Sequence, residues 1–450
     1  KPFEWRFEFP EVLNENGEFM GFDLVVGNPP YIRQEEIKEL KPSLAKAYEI
    51  YSGTSDIYTY FFELGFKVLE KGGILSFITS NKFARAGYGA NLREFLLNKT
   101  TLLEFVDLNG LKVFENATVD TSTVSFIKNK ASKTHKLNYA SPSEKDLSTL
   151  TYTQIPQSKL SKEAFIFGDD ALFELKSKIE SVGTPLKEWD IAIYRGVLTG
   201  YNEAFIIDTA TKEAVLNSCW DESERERTAK LIKPILRGRD IKRYSYEWAG
   251  LWLISTFPAL KLNIDDYPAL KKYLENFMPR IAQSGEKGCR KKTSNKWFET
   301  QDNIAYYEDF EKEKIVYPNM NKEFIASYDT QRFYTNQKCF IITSKNENLT
   351  YLTALLNSKL NFWYFKQIGA TLGANGYEMS KIFVEKLPIP KITKENQNLV
   401  DELVKLVNQI LALKAQISSA DTSQLECDID NLIYKLYNLS PNDIKIIERV

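Results

Sequence analysis

The stretch FDLVVGNPPY, from Phe22 to Tyr31, joins a short apolar run to a rigid polar turn. The apolar run predicts a β-strand, which ends at the two prolines because proline supplies no N–H donor to a sheet. Further apolar runs predict more strands, and apolar residues at helical spacing predict helices between them. In chain order these are a helix over Asp56 to Glu70, a strand over Ile74 to Thr79, a helix over Asn91 to Leu97, and strands over Leu102 to Leu108 and Thr121 to Ile127.

This alternation of strands and helices predicts an α/β fold with a parallel, doubly wound sheet. The step from Leu108 to Thr121 is too short for a helical crossover. We therefore expect the last of these strands to run antiparallel to its neighbours.

The composition limits the chemistry. The 450 residues correspond to about three domains of ordinary size. The 59 basic and 60 acidic residues balance to a net charge of −1, so a nucleic-acid partner has to be argued from local charge. The single histidine, His135, lies in a polar stretch where a solvated loop residue is expected, and it excludes zinc sites built from several histidines. The four cysteines form no CxxC pair, which favours a reducing, cytoplasmic setting and predicts no metal site.

The texture of the sequence changes after residue 130. Residues 131–188 are polar and predict a connector with one helix near Asp170 to Ser181. Residues 189–392 alternate short apolar or aromatic runs with turns, which predicts an α+β domain. Residues 393–450 predict a C-terminal helical segment, whose last helix begins at the N-cap Ser440.

The Asn-Pro-Pro-Tyr turn suits a specific reaction. An exocyclic amine on a purine is a poor nucleophile, because its lone pair is delocalised into the ring. Two acceptors placed on the amine hydrogens free that lone pair, and Asn28 can supply a side-chain oxygen and Pro29 a backbone carbonyl. Pro29 and Pro30 hold the turn rigid, and Tyr31 supplies an aromatic face for a flipped base. The reaction needs neither histidine nor metal. The alternative is a proline-rich turn that only ends a strand.

With the segments that follow it, this motif resembles the catalytic half of the adenine-specific DNA methyltransferases of type II restriction–modification systems, including the type IIG enzymes fused to a nuclease. The matching segments are Ser55 to Tyr58, Leu69 to Phe83, Val113 with Phe114, and Thr121 to Ile127. The resemblance covers residues 1–130. It implies a partial Rossmann-like methyltransferase sheet, S-adenosylmethionine as the methyl donor and double-stranded DNA as the partner.

By this resemblance, Asn28 and Pro29 bind the target amine and Tyr31 stacks on the adenine. Phe114 would contact the same base, and Phe61 would pack near the adenine ring of the methyl donor. Two simpler interpretations stay open: Phe114 as a loop anchor, and Phe61 as part of the apolar face of a helix.

The donor site of this family lies on a Gly-rich turn and an acidic residue that both precede the catalytic motif. Only 27 residues precede Asn28, and the chain begins with Lys1 rather than Met. We therefore expect an N-terminally truncated chain that lacks most of the donor-binding half and is inactive alone. Whether its parent also carries a nuclease stays open.

Residues 189–392 resemble the DNA target-recognition domain of these enzymes and of type I specificity subunits. The matching segments are Ile193 to Ile207, Ile232 to Ile241, Ala354 to Leu360, and Leu387 to Pro390. Two basic stretches lie here: Arg225 to Arg243 has eight basic and two acidic residues, and Arg280 to Lys296 has six and one. Such stretches neutralise phosphates, although a charge run is also typical of a solvated face. The expected DNA contacts are Arg195, Lys233, Arg237, Arg239, Lys242, Arg243, Arg290, Lys291 and Lys292.

Two hypotheses follow. The first is a site-specific DNA adenine-N6 methyltransferase of a restriction–modification system, present here without most of its donor site. The second is a sequence-specific DNA-binding module that does no chemistry in this form. Donor binding by the chain distinguishes them.

Overall fold

The computed structural model describes residues 3–111, 113–114, 120–144, 147, 149–371 and 376–449. The chain forms two compact units. Unit 1 contains Lys1–Ser177 and Lys366–Glu378, and unit 2 contains Lys178–Phe365 and Met379–Val450. Among these residues we find no helix with the length and apolar character needed to cross a membrane.

The strands are, in chain order, β1 Phe22–Gly27, β2 Leu69–Ser80, β3 Thr101–Asp107, β4 Thr121–Ile127, β5 Lys136–Ala140, β6 Thr153–Pro156, β7 Thr184–Pro185, β8 Ala192–Arg195, β9 Ile206–Asp208, β10 Ile232–Leu236, β11 Ile241–Lys242, β12 Ser245–Tyr246, β13 Leu251–Ile254, β14 Lys314–Pro318, β15 Met320–Asn321, β16 Ser327–Asp329, β17 Tyr334–Thr335, β18 Cys339–Thr343, β19 Ala370–Thr371, β20 Tyr377–Glu378 and β21 Pro388–Ile389.

The helices are α1 Trp5–Glu8, α2 Lys41–Ala47, α3 Tyr58–Val68, α4 Ala90–Lys99, α5 Asp170–Val182, α6 Asn202–Phe205, α7 Thr209–Asn217, α8 Glu222–Leu231, α9 Pro268–Glu275, α10 Leu349–Leu356, α11 Lys359–Ile368, α12 Lys381–Val384, α13 Gln397–Gln416, α14 Ser423–Leu436 and α15 Pro441–Glu448.

Unit 1 is built on a six-stranded sheet in the order β1-β2-β4-β3-β5-β6. β1 is parallel to β2, and β3 is parallel to β5, whereas β4 is antiparallel to both β2 and β3 as the sequence predicts. The backbones of β1 and β2 approach closely at Gly73, where an added Cβ would lie 2.7 Å from the carbonyl oxygen of Phe22. The fold is therefore α/β, with a methyltransferase-like sheet in which β1 is an edge strand.

The two faces of this sheet are covered unequally near β1. On one face, Leu75 and Phe77 are buried against α3, and the ring of Phe62 lies 5.5 Å from that of Phe77. On the other face, Leu24 is 57% exposed and Val26 is 70% exposed. Parallel sheets are normally covered on both faces, so this apolar surface is unusual for an isolated unit.

The stretch 131–188 is more than the connector that the sequence predicts. β5 and β6 lie within it and extend the sheet of unit 1. Leu137 and Ile155 are fully buried, whereas Lys136, Asn138 and Gln154 beside them are polar. These strands escaped prediction because each buries few apolar residues. The helix expected near Asp170 to Ser181 is confirmed as α5.

Unit 2 is a mixed α+β domain with helices at its C-terminus. It contains two four-stranded sheets, β17-β10-β13-β9 and β16-β14-β18-β8, and each contributes to an apolar core. The helical segment predicted over residues 393–450 is present as the three helices α13, α14 and α15. Ser440 caps α15 as predicted, since its hydroxyl accepts from the N–H of Asp443 and the Asp443 carboxylate accepts from the N–H of Ser440.

Candidate functional site

The Asn-Pro-Pro-Tyr turn leaves β1 at the edge of the sheet where β2 also ends. Asn28 is exposed, Pro29 is buried and Tyr31 is half-buried. The hydroxyl of Tyr31 lies 3.5 Å from the carbonyl oxygen of Ile78 on β2, and burial raises the pKa of Tyr31. Within the described ranges, neither the Asn28 side chain nor the Pro29 carbonyl is bonded to a protein donor. The turn therefore carries two adjacent acceptors that are available to an external amine.

The chain after the turn is held by the Ser-Asp-Ile-Tyr segment. The Asp56 carboxylate accepts from the N–H of Gln34 at 3.0 Å, and the N–H of Ile57 donates to the carbonyl of Ile32 at 3.0 Å. Burial is the main effect on Asp56 and raises its pKa. These bonds fix the C-terminal end of the segment that carries Tyr31, and β1 fixes its N-terminal end.

Tyr31 lies among aromatic rings. Its centroid is 6.4 Å from that of Tyr58 and 6.3 Å from that of Phe114. Tyr58 is buried, and its hydroxyl is 2.9 Å from that of Tyr88. The structure thus brings Tyr31 and Phe114 together, and their contact with one base stays a prediction. Sequence reasoning did not assign a role to Tyr58 or Tyr88, although Tyr58 lies in the Ser-Asp-Ile-Tyr segment that was recognised.

Phe61 is half-buried on α3 and packs against the apolar core of unit 1. This is the core position that the simpler interpretation describes, and its contact with the methyl donor stays a prediction. His135 is half-buried rather than fully solvated, and its Nε2 lies 2.6 Å from the carbonyl oxygen of Leu102. Across the described residues, no cluster of three or more His, Cys, Asp or Glu side chains is suited to a metal ion.

The first basic stretch is partly neutralised within unit 2. Lys233 pairs with Glu311 at 2.8 Å, Arg237 pairs with Asp240 at 2.8 Å, and Arg243 pairs with Glu323 at 2.6 Å. Five of the predicted contacts are exposed and carry no ion pair in the described part of the chain: Arg195, Arg239, Lys242, Lys291 and Lys292. Because their side chains are exposed and unpaired, these residues are better suited to bind phosphates than the paired ones.

In the second basic stretch, Arg290 is not a surface residue. It is 3% exposed, and its guanidinium donates to four backbone carbonyls, those of Ile281, Thr199, Glu299 and Trp297. This corrects the prediction that Arg290 contacts DNA, because its donors are used inside the fold. The following residues, Lys291 and Lys292, are exposed. Arg290 holds the base of the loop that presents them, since its N–H also donates to Ala282 and its carbonyl accepts from Gly285.

Comparison with known proteins agrees with both parts of this arrangement. The Eco57I restriction-modification methylase family matches residues 1–114, and the TaqI-like C-terminal specificity domain matches residues 233–389. The type II methyltransferase M.BstVI of Geobacillus stearothermophilus is 27% identical over an alignment that covers 96% of this chain and 76% of that protein. The type II methyltransferase M.PaeR7I of Pseudomonas aeruginosa is 23% identical, with 93% and 71% covered.

A solved structure has a similar fold. The type IIL restriction-modification enzyme MmeI, determined in complex with DNA, superposes with a TM-score of 0.62 at 12% identity. The alignment covers 94% of this chain and 55% of that one, so the chain spans little more than half of the solved protein. The resemblance drawn from the motifs is confirmed: a restriction-modification methylase domain of the Eco57I type precedes a TaqI-like specificity domain.

Proposed function

We propose that this chain carries the base-binding and DNA-recognising parts of a site-specific methyltransferase that modifies the N6 amine of adenine in a restriction–modification system. The observation that carries the proposal is the pair of available acceptors at Asn28 and Pro29, next to the rings of Tyr31 and Phe114 that lie 6.3 Å apart. Two acceptors and an aromatic surface are the features that a flipped adenine requires.

In this proposal Asn28 Oδ1 and the Pro29 carbonyl each accept one hydrogen of the N6 amine. Their pull makes the nitrogen lone pair more available for direct displacement. S-adenosylmethionine, when bound, supplies the sulfonium methyl group. Asn28 and Pro29 are not bases, so the proton lost from N6 passes to solvent. Tyr31 and Phe114 hold the ring so that the amine stays on both acceptors.

The donor site belongs mostly outside these 450 residues in our proposal. The exposed apolar side chains of Leu24 and Val26 on the edge strand support it, since further strands and a helix would cover them. Phe61 is the residue of this chain that we assign to the donor. The alternative is a DNA-binding specificity module without catalysis, and it describes the chain if the donor does not bind.

Two measurements test this function. Calorimetric titration with S-adenosylmethionine and mobility shift of duplex DNA, both on the 450-residue chain, separate the two alternatives. DNA binding without donor binding favours the module for this form. In the longer parent protein that methylates DNA, Asn28→Ala is expected to abolish methyl transfer and to leave the DNA affinity unchanged. The control Asn303→Ala, at an exposed position in unit 2, should change neither methyl transfer nor DNA affinity. Wild-type transfer by Asn28→Ala would exclude the mechanism.

A further inference from the structure

A loop beside the sheet of unit 1 is anchored by a buried charge. Residues 83–89, called here the Tyr88 loop, lie between β2 and α4. Arg93 on α4 is 1% exposed, and its guanidinium donates to four backbone carbonyls, those of Phe83, Ala86, Lys162 and Glu163. The loop passes so close that a Cβ added at Gly89 would lie 2.8 Å from Nη1 of Arg93. Burial lowers the pKa of Arg93 to about 10, so Arg93 stays charged at neutral pH and holds the Tyr88 loop in place.

The Tyr88 loop is bonded to the start of α3 at two points. The hydroxyl of Ser55 donates to the carbonyl of Tyr88 at 3.1 Å, and the hydroxyls of Tyr58 and Tyr88 lie 2.9 Å apart. Tyr58 is 1% exposed, and Tyr88 is half-buried. Burial raises the pKa of both hydroxyls, so both stay protonated at neutral pH and one donates to the other. The anchored loop thus holds the hydroxyl end of the Tyr58 side chain.

The ring of Tyr58 also supports Tyr31. The two rings meet edge to face, with their centroids 6.4 Å apart and their planes at 64°. The hydroxyl of Tyr31 adds little support, because its contact with the carbonyl of Ile78 is long at 3.5 Å. The orientation of the Tyr31 ring therefore depends on the rings beside it, and Tyr58 is the one whose hydroxyl is bonded to the Tyr88 loop.

We propose that Tyr58 and Tyr88 are positioning residues of the base site. The hydrogen bond between their hydroxyls holds the edge of the Tyr58 ring against Tyr31, so that Tyr31 meets a flipped adenine in the stacking orientation. Neither residue touches the base. This inference rests on the proposed function, because it takes Tyr31 to be the residue that stacks on the adenine. The simpler alternative is a buried hydroxyl pair that only stabilises the core of unit 1.

The test measures base flipping by the 450-residue chain. Wild type first selects its site from a randomised duplex pool. Each adenine of the selected duplex is then replaced in turn by 2-aminopurine, whose fluorescence rises when it leaves the base stack. The position at which wild type raises the fluorescence is the target, and the signal there reports the equilibrium between the stacked and the flipped base.

Tyr88→Phe removes one hydroxyl and keeps the ring. The buried hydroxyl of Tyr58 then loses its partner at 2.9 Å and turns toward the side chain of Ser80 nearby, which shifts the ring edge that meets Tyr31. We expect the equilibrium constant for flipping to fall about fivefold, the factor that corresponds to one ordinary hydrogen bond. Adding Tyr58→Phe to this variant should restore flipping to within about twofold of wild type, because the ring then has no hydroxyl to satisfy.

Tyr60→Phe is the matched control, because it makes the same change on the same helix. Tyr60 is 2% exposed, its hydroxyl donates to the carbonyl of Ser52 at 3.1 Å, and its ring packs on those of Tyr48 and Tyr51. Urea unfolding should show similar losses of stability for Tyr60→Phe and Tyr88→Phe, since each removes one hydrogen bond. Only Tyr88→Phe should impair flipping, whereas Tyr60→Phe should stay within about twofold of wild type.

The outcomes separate this inference from the proposed function. If Tyr88→Phe flips the base as well as Tyr60→Phe does, the positioning role is overturned while the proposed function stands. The same holds if the double variant flips as poorly as Tyr88→Phe, because the Tyr58 hydroxyl is then not the cause. If wild type binds duplex DNA but flips no adenine, the proposed function fails and this inference fails with it.

Discussion

Arg290 offers a sharp test, because its replacement is expected to destabilise unit 2 rather than to remove a DNA contact. Its guanidinium is buried and lies 5.1 Å from the ring of Phe205. Burial lowers the pKa of Arg290 to about 10, which still leaves it charged at neutral pH. The perturbation is Arg290→Met, which retains a flexible apolar side chain and removes every donor.

The magnitude follows from the bonds that are lost. The carbonyls that accept from Arg290 lie 2.6–2.8 Å from its nitrogens and belong to stretches up to 91 residues away. Each acceptor left buried and unpaired costs about 1–3 kcal/mol, although entering water recovers part of this cost. Four acceptors, part of whose cost is recovered by water, give about 3–5 kcal/mol in total. We therefore expect Arg290→Met to lower the free energy of unfolding of unit 2 by that amount.

Urea unfolding followed by tryptophan fluorescence measures this loss. Six of the seven tryptophans lie in unit 2, so the signal reports mainly on that unit. With an m-value of about 3 kcal/mol/M, the midpoint should fall by roughly 1–1.7 M. Lys291→Met is the matched control. Lys291 is exposed, so this variant should change the free energy of unfolding by less than about 0.5 kcal/mol. The same midpoint for Arg290→Met and wild type, with weaker DNA binding, would refute the buried role and restore the phosphate contact.

Two further outcomes are expected. Burial raises the pKa of Asp430 to about 6, so ionisation of Asp430 lowers the free energy of unfolding as the pH rises from about 4 through 6. Asp430→Asn keeps the acceptor for the N–H of Lys359, so in parallel unfolding curves it should be more stable than wild type by about 2–3 kcal/mol at pH 8 and equally stable near pH 4. A difference that does not depend on pH would contradict this. Base flipping is measured by the fluorescence of 2-aminopurine at the target position of the DNA. Tyr31→Phe should flip this base as wild type does, because the bond from the Tyr31 hydroxyl to the Ile78 carbonyl is long at 3.5 Å, whereas Tyr31→Ala should lose about 1–3 kcal/mol of stacking. Equal fluorescence with both variants would argue against a stacked base.

Local signals in the sequence predicted the elements that carry their own pattern. The antiparallel β4 matches the predicted strand Thr121 to Ile127, and Ser440 caps α15 where the Ser-Pro pair places it. β5 and β6 could not be predicted from their own composition, because they form strands by pairing with the sheet and bury few apolar residues. A strand with one buried residue, such as Ile155 in β6, resembles a polar loop until its neighbour is known.

The charge runs predicted less than the motifs did, and the reason is physical. A run of lysines and arginines records charge but not the depth of each side chain. Arg290 and Lys291 are adjacent and look alike in sequence, yet one is buried and the other is exposed. The burial of Arg290 depends on carbonyls such as that of Thr199, far away in the chain.

The Asn-Pro-Pro-Tyr turn and the Ser-Asp-Ile-Tyr segment are separated in the sequence but are joined in the structure. The prolines set the local shape of the turn at Asn28, but they do not set where the turn lies relative to the sheet. That position depends on β1 at one end and, at the other, on the bond from Gln34 to Asp56, 22 residues later. Asp56 also precedes Tyr58, whose ring lies 6.4 Å from that of Tyr31. The two segments therefore form one unit of structure, and the position of Asn28 and Pro29 depends on Asp56 as well as on β1.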